Sequence, residues 1–504
     1  MSSIVLTTLN AKYSHSALGL RYLHANLKEL KSVSSLQEYI ITDNINEVTE
    51  KLLSSHPSIV GISVYIWNAC ETQRLIKMLK KVAPETIIIL GGPEVSYLPL
   101  RVDFSAADYI IVGEGEVSFY SLCKALLGNK PPEEKVIKSE LVDVKKIEHP
   151  YDCYTDEDVL NRVIYIEASR GCPFECEFCL SSIDKTVREF DVDLLLVNLS
   201  ALWKRGVRKF KFVDRTFNLN IESANRILDY FLQKQEPYLL HCEVIPEFFP
   251  DSFKEKIKQF LPASIQLELG IQTLNPKTSE TIKRKSNIEK IKENLSFLDK
   301  ETNAHLHCDL IAGLPGERIE DFAENLNMLV SLTTAEIQIG MLKKLSGTAI
   351  CRHDESCGML YSDFPPYEIL QNDLIPFCVM QKMKRFARFW DLMYNSGNFN
   401  KSVRLLWGDG NVFKEFYSFC EWTFFQTKAT WKISLTRLAA LLFKYLTEVK
   451  GNDKTIISDV MIKDLLILRG RKIPAFLREH VSFIPDPSKN DGVKITRRQI
   501  KHSS

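Results

Sequence analysis

The chain has 504 residues, 45% of them hydrophobic, 26% charged and 10% aromatic, a length that exceeds one ordinary domain and suggests about three. With 65 Lys/Arg against 64 Asp/Glu the net charge is +1, which leaves no global field for nucleic acid or an acidic membrane, and no run of ~18 apolar residues offers a membrane span. Twelve cysteines follow a start, Met1 to Asn10, that lacks a basic leader and a cleavage site. They read as the thiols of a reduced cytoplasm and not as a disulfide framework.

In chain order, Ile4–Leu9 is a β-branched apolar run, and a helical pattern follows near Ser16–Leu30. Strand patterns recur at Tyr39–Ile41, Ile59–Tyr65, Ile87–Leu90 and Tyr109–Val112, separated by helical patterns at Ile45–Ser55, Asn68–Lys80 and Val117–Leu127. Short apolar strands alternating with helices predict a doubly wound α/β domain over residues 1–135, with ligand loops at the carboxyl ends of its strands. Residues 136–160, part of a polar stretch that opens near Pro131-Pro132, read as a linker. A second series begins at Val163–Ala168 and continues through Lys209–Asp214, Leu239–Val244, Ser264–Leu269, Leu306–Ile311 and Glu336–Met341. Six βα units over 161–350 predict a partial (β/α)6 TIM-like barrel. Residues 362–492 read as a helical C-terminal domain, with helices at Leu374–Tyr394, Val412–Phe424, Leu435–Val449 and Ser458–Leu468. From Trp431 to the end, 15 Lys/Arg stand against 7 Asp/Glu. This excess reads as a solvated face, with a nucleic-acid contact as the sharper alternative. The last dozen residues are polar and basic and read as mobile.

The decisive segment is Glu167-Ala-Ser-Arg-Gly-Cys172-Pro-Phe-Glu-Cys176-Glu-Phe178-Cys179, directly after the first barrel strand. Three clustered thiolates are soft ligands suited to an iron–sulfur cluster. Structural zinc calls for a fourth protein ligand, and no further Cys or His lies close by. Three ligands on a four-iron cube leave one iron open for a substrate or cofactor. The Cys-x3-Cys-x-aromatic-Cys spacing resembles that of the radical S-adenosylmethionine (SAM) superfamily.

That resemblance implies a [4Fe–4S] cluster on Cys172, Cys176 and Cys179 as metal ligands, with Phe178 packing near the adenine of SAM. It also implies reductive cleavage of SAM to a 5′-deoxyadenosyl radical and dependence on a low-potential electron donor such as flavodoxin or ferredoxin. Phe212 to Phe217 stands where many members place Gly-Gly-Glu. Lacking those glycines, it looks like the Asp-rich variant of cobalamin-linked members and offers Asp214 as a cofactor contact. Leu269-Gly270-Ile271-Gln272-Thr273 resembles the fourth-strand motif, naming Gly270 and Gln272, and Asp309 to Glu317 resembles the fifth.

Ahead of this barrel, Ile89-Leu90-Gly91-Gly92-Pro93-Glu94 and Asp108 to Glu116 resemble the last two strand ends of cobalamin (B12)-binding domains. The resemblance nominates Gly91, Gly92, Gly113 and Gly115, with Ser63, as cobalamin contacts. The usual Asp-x-His-x-x-Gly motif is missing, and His15 lacks its flanking residues, so water or no ligand is expected below the cobalt. The C-terminal region resembles an uncharacterised domain often fused to such proteins. Cys351 and Cys357, with His353 between them, form a looser cluster. The function this implies is a cobalamin-dependent radical SAM enzyme that methylates an unactivated carbon of an unidentified substrate. The alternatives are a non-methylating radical rearrangement or cyclisation, and a B12- or redox-sensing protein without turnover. A tRNA methylthiotransferase would need three N-terminal cysteines, and residues 1–150 hold only Cys70 and Cys123.

Overall fold

The computed structural model describes residues 3–467 and 471–482. It divides into two compact units. The first is Met1–Glu243 with Lys343–Cys351 and Tyr361–Glu368, and the second is Val244–Leu342, Arg352–Leu360 and Ile369–Ser504. The expected mobility of the last dozen residues, and the basic excess within them, fall outside the described residues.

The first unit opens with β1 (Ile4–Asn10), α1 (Leu18–Ala25), β2 (Ser34–Ile40), α2 (Ile45–Leu53), β3 (Ile59–Ser63) and α3 (Ala69–Val82). It continues through β4 (Ile87–Gly91), β5 (Tyr109–Val112), α4 (Glu116–Leu127) and β6 (Val136–Lys138). The strands form one parallel sheet in the order β2-β1-β3-β4-β5-β6. Alternation of side chains along each strand divides the core in two. Val5, Leu9, Val60, Ile62, Ile88 and Leu90 pack with Leu52, Ile76 and Leu79 of α2 and α3. Ile4, Leu6, Ile59, Ile89 and Ile111 pack with Leu20, Phe119 and Leu122 of α1 and α4. Both faces are therefore covered, as a doubly wound sheet requires, and each fully buried aliphatic side chain contributes about 1.5–3 kcal/mol.

The stretch read as a linker is structured. It supplies β6 and then α5 (Asp156–Asn161), whose start is a capping box between Thr155 and Asp158. Asp158 also receives Arg21 Nη2 at 2.7 Å, Arg21 reaches Glu38 at 2.7 Å, and Arg162 meets Glu38 at 2.8 Å. This four-charge network is almost wholly buried, with Arg21 1% exposed. Asp158 is the one charge of 136–160 in this network; the others are exposed, and Val142, Val144 and Ile147 anchor the stretch against Tyr22 and Phe190.

The barrel series follows: β7 (Ile164–Ile166), the hairpin β8 (Ser169–Arg170) and β9 (Arg188–Glu189), α6 (Val192–Lys204), β10 (Lys209–Phe212), α7 (Ile221–Leu232) and β11 (Leu239–Val244). In the first unit β7, β10 and β11 pair in parallel. The second unit holds α8 (Asp251–Lys258), β12 (Ile265–Gln272), α9 (Pro276–Thr281), α10 (Ile288–Glu301), β13 (His305–Ala312), α11 (Ile319–Leu332) and β14 (Glu336–Met341). There β12, β13 and β14 are again parallel. The six βα units of the partial barrel are thus present.

Helices α12 (Phe377–Trp390), α13 (Val412–Thr427), α14 (Leu435–Lys444) and α15 (Lys454–Leu465) build the C-terminal region. α12 and α14 each end in a π turn, Asp391–Asn395 and Tyr445–Val449. The aromatic residues noted in the sequence form its core: Trp390 stacks on Tyr394 at 4.3 Å and meets Phe416 edge-on at 4.9 Å.

Candidate functional site

The carboxyl edge of the first sheet carries the site. Ser63 and Gly91 end β3 and β4, Gly92 follows β4, Gly113 and Gly115 follow β5, and all five line one cavity of about 500 Å³. At Gly92, φ is +103°, and a Cβ there would stand 2.6 Å from the Val64 carbonyl oxygen. Gly113 has φ +93°. Both turns exclude larger residues and bring bare backbone to the cavity wall. Glu167, Ser169, Arg170 and Gly171, after β7, line the same cavity, as do Val213 and Arg215 after β10. One hollow therefore gathers strand ends from the doubly wound domain and from the start of the barrel.

Arg170 is the electrostatic centre of this wall. Its guanidinium reaches Glu116 at 2.8 Å, Glu167 at 3.1 Å and Glu114 at 3.5 Å, and lies over the Tyr22 ring at 4.7 Å. Glu114 also accepts from Arg188 Nη2 at 2.7 Å and from the Val142 N–H at 2.8 Å. Burial pushes Glu114 up, but these donors outweigh it and hold the carboxyl below its ordinary range. Glu167 goes the other way: burial carries it up to about 7, against the pull of Arg170.

Asp214 is buried, and both carboxylate oxygens are engaged, one by the Ala168 N–H at 3.0 Å and one by the Ser169 hydroxyl at 2.6 Å. Burial raises it to about 6. Its visible role is to hold the exit from β7, where the cysteine loop begins, while its neighbours Val213 and Arg215 face the cavity.

The cysteine loop is closed at its neck by β8 and β9, which pair Ser169 with Glu189 and Arg170 with Arg188. Gly171 has φ +88°, and any Cβ there would collide with the Thr186 carbonyl. The Cys172 N–H donates to Asp184 at 2.9 Å, the Cys179 N–H to Cys176 at 3.1 Å, and the Ile350 N–H to Glu177 at 2.9 Å. Cys172 and Cys176 are buried, Cys179 is half-buried, and none of the three is in a disulfide. Burial raises the Cys172 thiol, and the neighbouring Cys179 and Cys176 raise it further. A cage of clustered thiols fits an iron–sulfur cluster, which would take them as thiolates. Phe178 is half-buried within this loop.

Gly270 and Gln272 lie in the second unit, at the end of β12. A β-bulge separates them, Gln272 has φ +67°, and Arg284 donates to the Gly270 carbonyl. His15 lies beside Tyr165, Nδ1 to hydroxyl 3.2 Å. Cys351 and Cys357 fall in different units. Pattern reading overlooked Glu114, Glu116, Glu167, Arg170, Arg188 and Arg215. Their one sequence signal is charge at the ends of apolar strands.

Residues 4–122 match the family model of the B12 binding domain, residues 166–329 that of the radical SAM superfamily, and residues 355–499 that of a family of unknown function, DUF4080. Fold, cysteine loop and glycine-lined cavity thus define a radical SAM enzyme. The chain belongs among the radical SAM proteins with an N-terminal B12-binding domain, and it carries a C-terminal DUF4080 domain. It is 26% identical over 339 residues to an uncharacterized methyltransferase of Pyrococcus horikoshii, covering 60% of this chain and 71% of that protein. It is 22% identical to the cobalamin-dependent radical SAM methyltransferase TokK of Streptomyces tokunonensis, over 53% of this chain and 44% of that one, so it spans less than half of TokK. Among solved structures, the cobalamin-dependent radical enzyme OxsB with aqua-cobalamin and SAM bound superposes with a TM-score of 0.60 at 14% identity. That match covers 95% of this chain and 80% of OxsB and shows a shared fold. Among the described residues no helix is long and apolar enough to cross a membrane.

Proposed function

We propose that the protein is a cobalamin-dependent radical SAM methyltransferase acting on an unactivated carbon. The observation that carries this reading is the single cavity in which Gly91, Gly92 and Gly113 of the B12-binding domain face Arg170, Gly171 and Arg215 from the strand ends beside the cysteine loop. In the proposal Cys172, Cys176 and Cys179 ligate the cluster, Ser63, Gly91, Gly92, Gly113 and Gly115 receive cobalamin, and Phe178, Asp214, Gly270 and Gln272 serve SAM. When bound, the cluster supplies an electron to the sulfonium of SAM, and cobalamin supplies a carrier for methyl.

The chain's own residues position and exclude. Gly92 and Gly113 let backbone approach the corrin closely. Arg170, held by three carboxylates, presents a fixed cation beside the loop. Glu167, pushed up to about 7 by burial against the pull of Arg170, is the carboxyl of this wall that titrates closest to neutrality. A substrate and a reductant complete the system. We assign the reductant to a flavodoxin- or ferredoxin-like donor and the protein to the cytoplasm, which its free thiols support.

The test is product analysis on anaerobically reconstituted, reduced protein with hydroxocobalamin. It should convert SAM both to 5′-deoxyadenosine and to S-adenosylhomocysteine, two separable products. Cys179→Ala should abolish the deoxyadenosine while cobalamin binding survives, and Gly92→Trp should weaken cobalamin binding. Deoxyadenosine without S-adenosylhomocysteine, with cobalamin bound and reduced, would move the assignment to a rearrangement or cyclisation. Neither product from a protein with an intact reducible cluster would overturn enzymatic function.

A further inference from the structure

From the second unit alone, and independently of the preceding proposal, we propose a binding site for a first-row divalent transition-metal ion on His305, His307 and Glu336. Among the described residues, this is the one grouping of three such side chains whose donor atoms all lie within 4.8 Å. His305 and His307 share the half-buried face of β13, whose other face carries buried Leu306, Cys308 and Leu310. Glu336 opens β14 and pairs in register with His307. The three therefore stand at the amino ends of adjacent strands, opposite the end of β13 that leads into Gly313–Glu317.

The geometry is a triangle. His305 Nε2 lies 3.1 Å from His307 Nε2 and 3.0 Å from Glu336 Oε1, and His307 Nε2 lies 3.4 Å from Glu336 Oε2. No assignment of protons satisfies all three edges with neutral rings. If one ring donates to the other, the acceptor's lone pair faces the carboxylate or its partner and not a hydrogen. If both Nε2 atoms carry protons for the carboxylate, the two hydrogens face each other across 3.1 Å. A cation inside the triangle makes every inward lone pair favourable. Bonds of about 2.0–2.2 Å to imidazole nitrogen and carboxylate oxygen put ligand atoms roughly 3.0–3.5 Å apart at octahedral to tetrahedral angles, the spacing found here. An N2O set of imidazole and carboxylate suits zinc or ferrous ion above calcium or magnesium.

The supports are rigid. Asn395, in the π turn after α12, accepts from the Ile337 N–H and donates to the Ile337 carbonyl, both at 2.9 Å, and so fixes the start of β14 beside Glu336. His305 and Glu336 border a cavity of about 350 Å³ that Lys401 and Arg404 also line. Three protein ligands leave coordination positions open, and those two cations equip the cavity to hold an anionic co-ligand on the metal.

The test uses the full chain with Cys172→Ser, Cys176→Ser and Cys179→Ser, without cobalamin and after chelator treatment, so that no cluster iron or corrin cobalt contributes. Titration with Co²⁺ should give one bound ion per chain, with visible ligand-field bands and no sulfur-to-cobalt charge transfer, displaced by Zn²⁺. His305→Gln and Glu336→Gln should each weaken binding by more than the ~10–100-fold that losing an outer-shell partner costs. Zn²⁺ should also raise the melting temperature of the parent, and an added chelator should reverse the rise. That measurement decides the matter if a variant does not fold. Absence of nitrogen–oxygen cobalt bands, equal affinity in the variants, or a melting temperature blind to Zn²⁺ would overturn the site.

Discussion

Glu317 shows how much one buried carboxyl can impose. Its Oε1 accepts from the Thr273 hydroxyl at 2.6 Å and from the Asn325 amide at 3.0 Å, tying the end of β12 to α11. Burial pushes it from 4.5 up to about 8. A carboxyl raised in the folded state binds more protons there than in the unfolded chain, so stability is lost as pH rises from about 4.5 to about 8. Glu317→Gln, neutral at every pH, should therefore gain on the wild type across that window by up to a few kcal/mol. Parallel melting curves against pH for the two proteins would refute this. At Gly171, where a Cβ meets the Thr186 backbone, Gly171→Ala should lower the iron retained after reconstitution while leaving the circular dichroism unchanged. The cysteines were legible because their pattern is local, thirteen consecutive letters after a strand. Arg170 sits within those letters yet could not be read, because its meaning depends on Glu114 and Glu116, which only the folded chain brings to it. Asp214 was read as a cofactor contact from resemblance, and the structure adds that it first of all anchors Ala168 and Ser169.

Among the elements, apolar runs gave the strands closely: Leu239–Val244 and Glu336–Met341 were read with the bounds they have. Ends governed by side-chain capping or tertiary pairing were missed. β2 runs from Ser34, although only Tyr39–Ile41 looked extended, because its pairing with β1 overrides a polar start. Residues 136–160, misread as a linker, show no apolar run, because the buried Val142, Val144 and Ile147 are scattered among exposed charges and pack on the distant Tyr22 and Phe190. The Arg21 network predicts a sharp penalty. Arg21→Met would leave Glu38 and Asp158 buried with only Arg162 to bridge them, at 2.8 and 3.3 Å, in place of the two 2.7 Å contacts of Arg21, and should destabilise the protein by about 3–5 kcal/mol, read as a lowered urea midpoint. Arg162→Met, which leaves Arg21 bridging both acids, should cost less. Equal losses would show that the two arginines do not divide the work in this way.

At the scale of the whole molecule, the chain leaves the first unit at Glu243 and returns to it twice, at Lys343–Cys351 and Tyr361–Glu368. The returning segments are firmly attached. The Tyr367 hydroxyl donates to buried Glu94 at 2.5 Å, Arg101 lies over the Tyr367 ring at 4.4 Å, and Gly347, with φ +82°, lies against Tyr97 where a side chain would clash. Tyr367→Phe leaves Glu94 without its donor and should cost about 1–3 kcal/mol, seen as faster hydrogen exchange around Pro93–Val95. No local pattern announces a contact between residues 273 positions apart.

That separation has a consequence during synthesis. A ribosome adds about 5–20 residues each second, so the glycine-rich sheet can be laid down many seconds before Tyr367 emerges to cap Glu94. Through that interval the nascent first unit carries an open flank, and the Ile350 tie to the cysteine loop is not yet made either. Chains halted before residue 340 should therefore be cut by protease at the Glu94 turn while chains extending well beyond residue 368 resist.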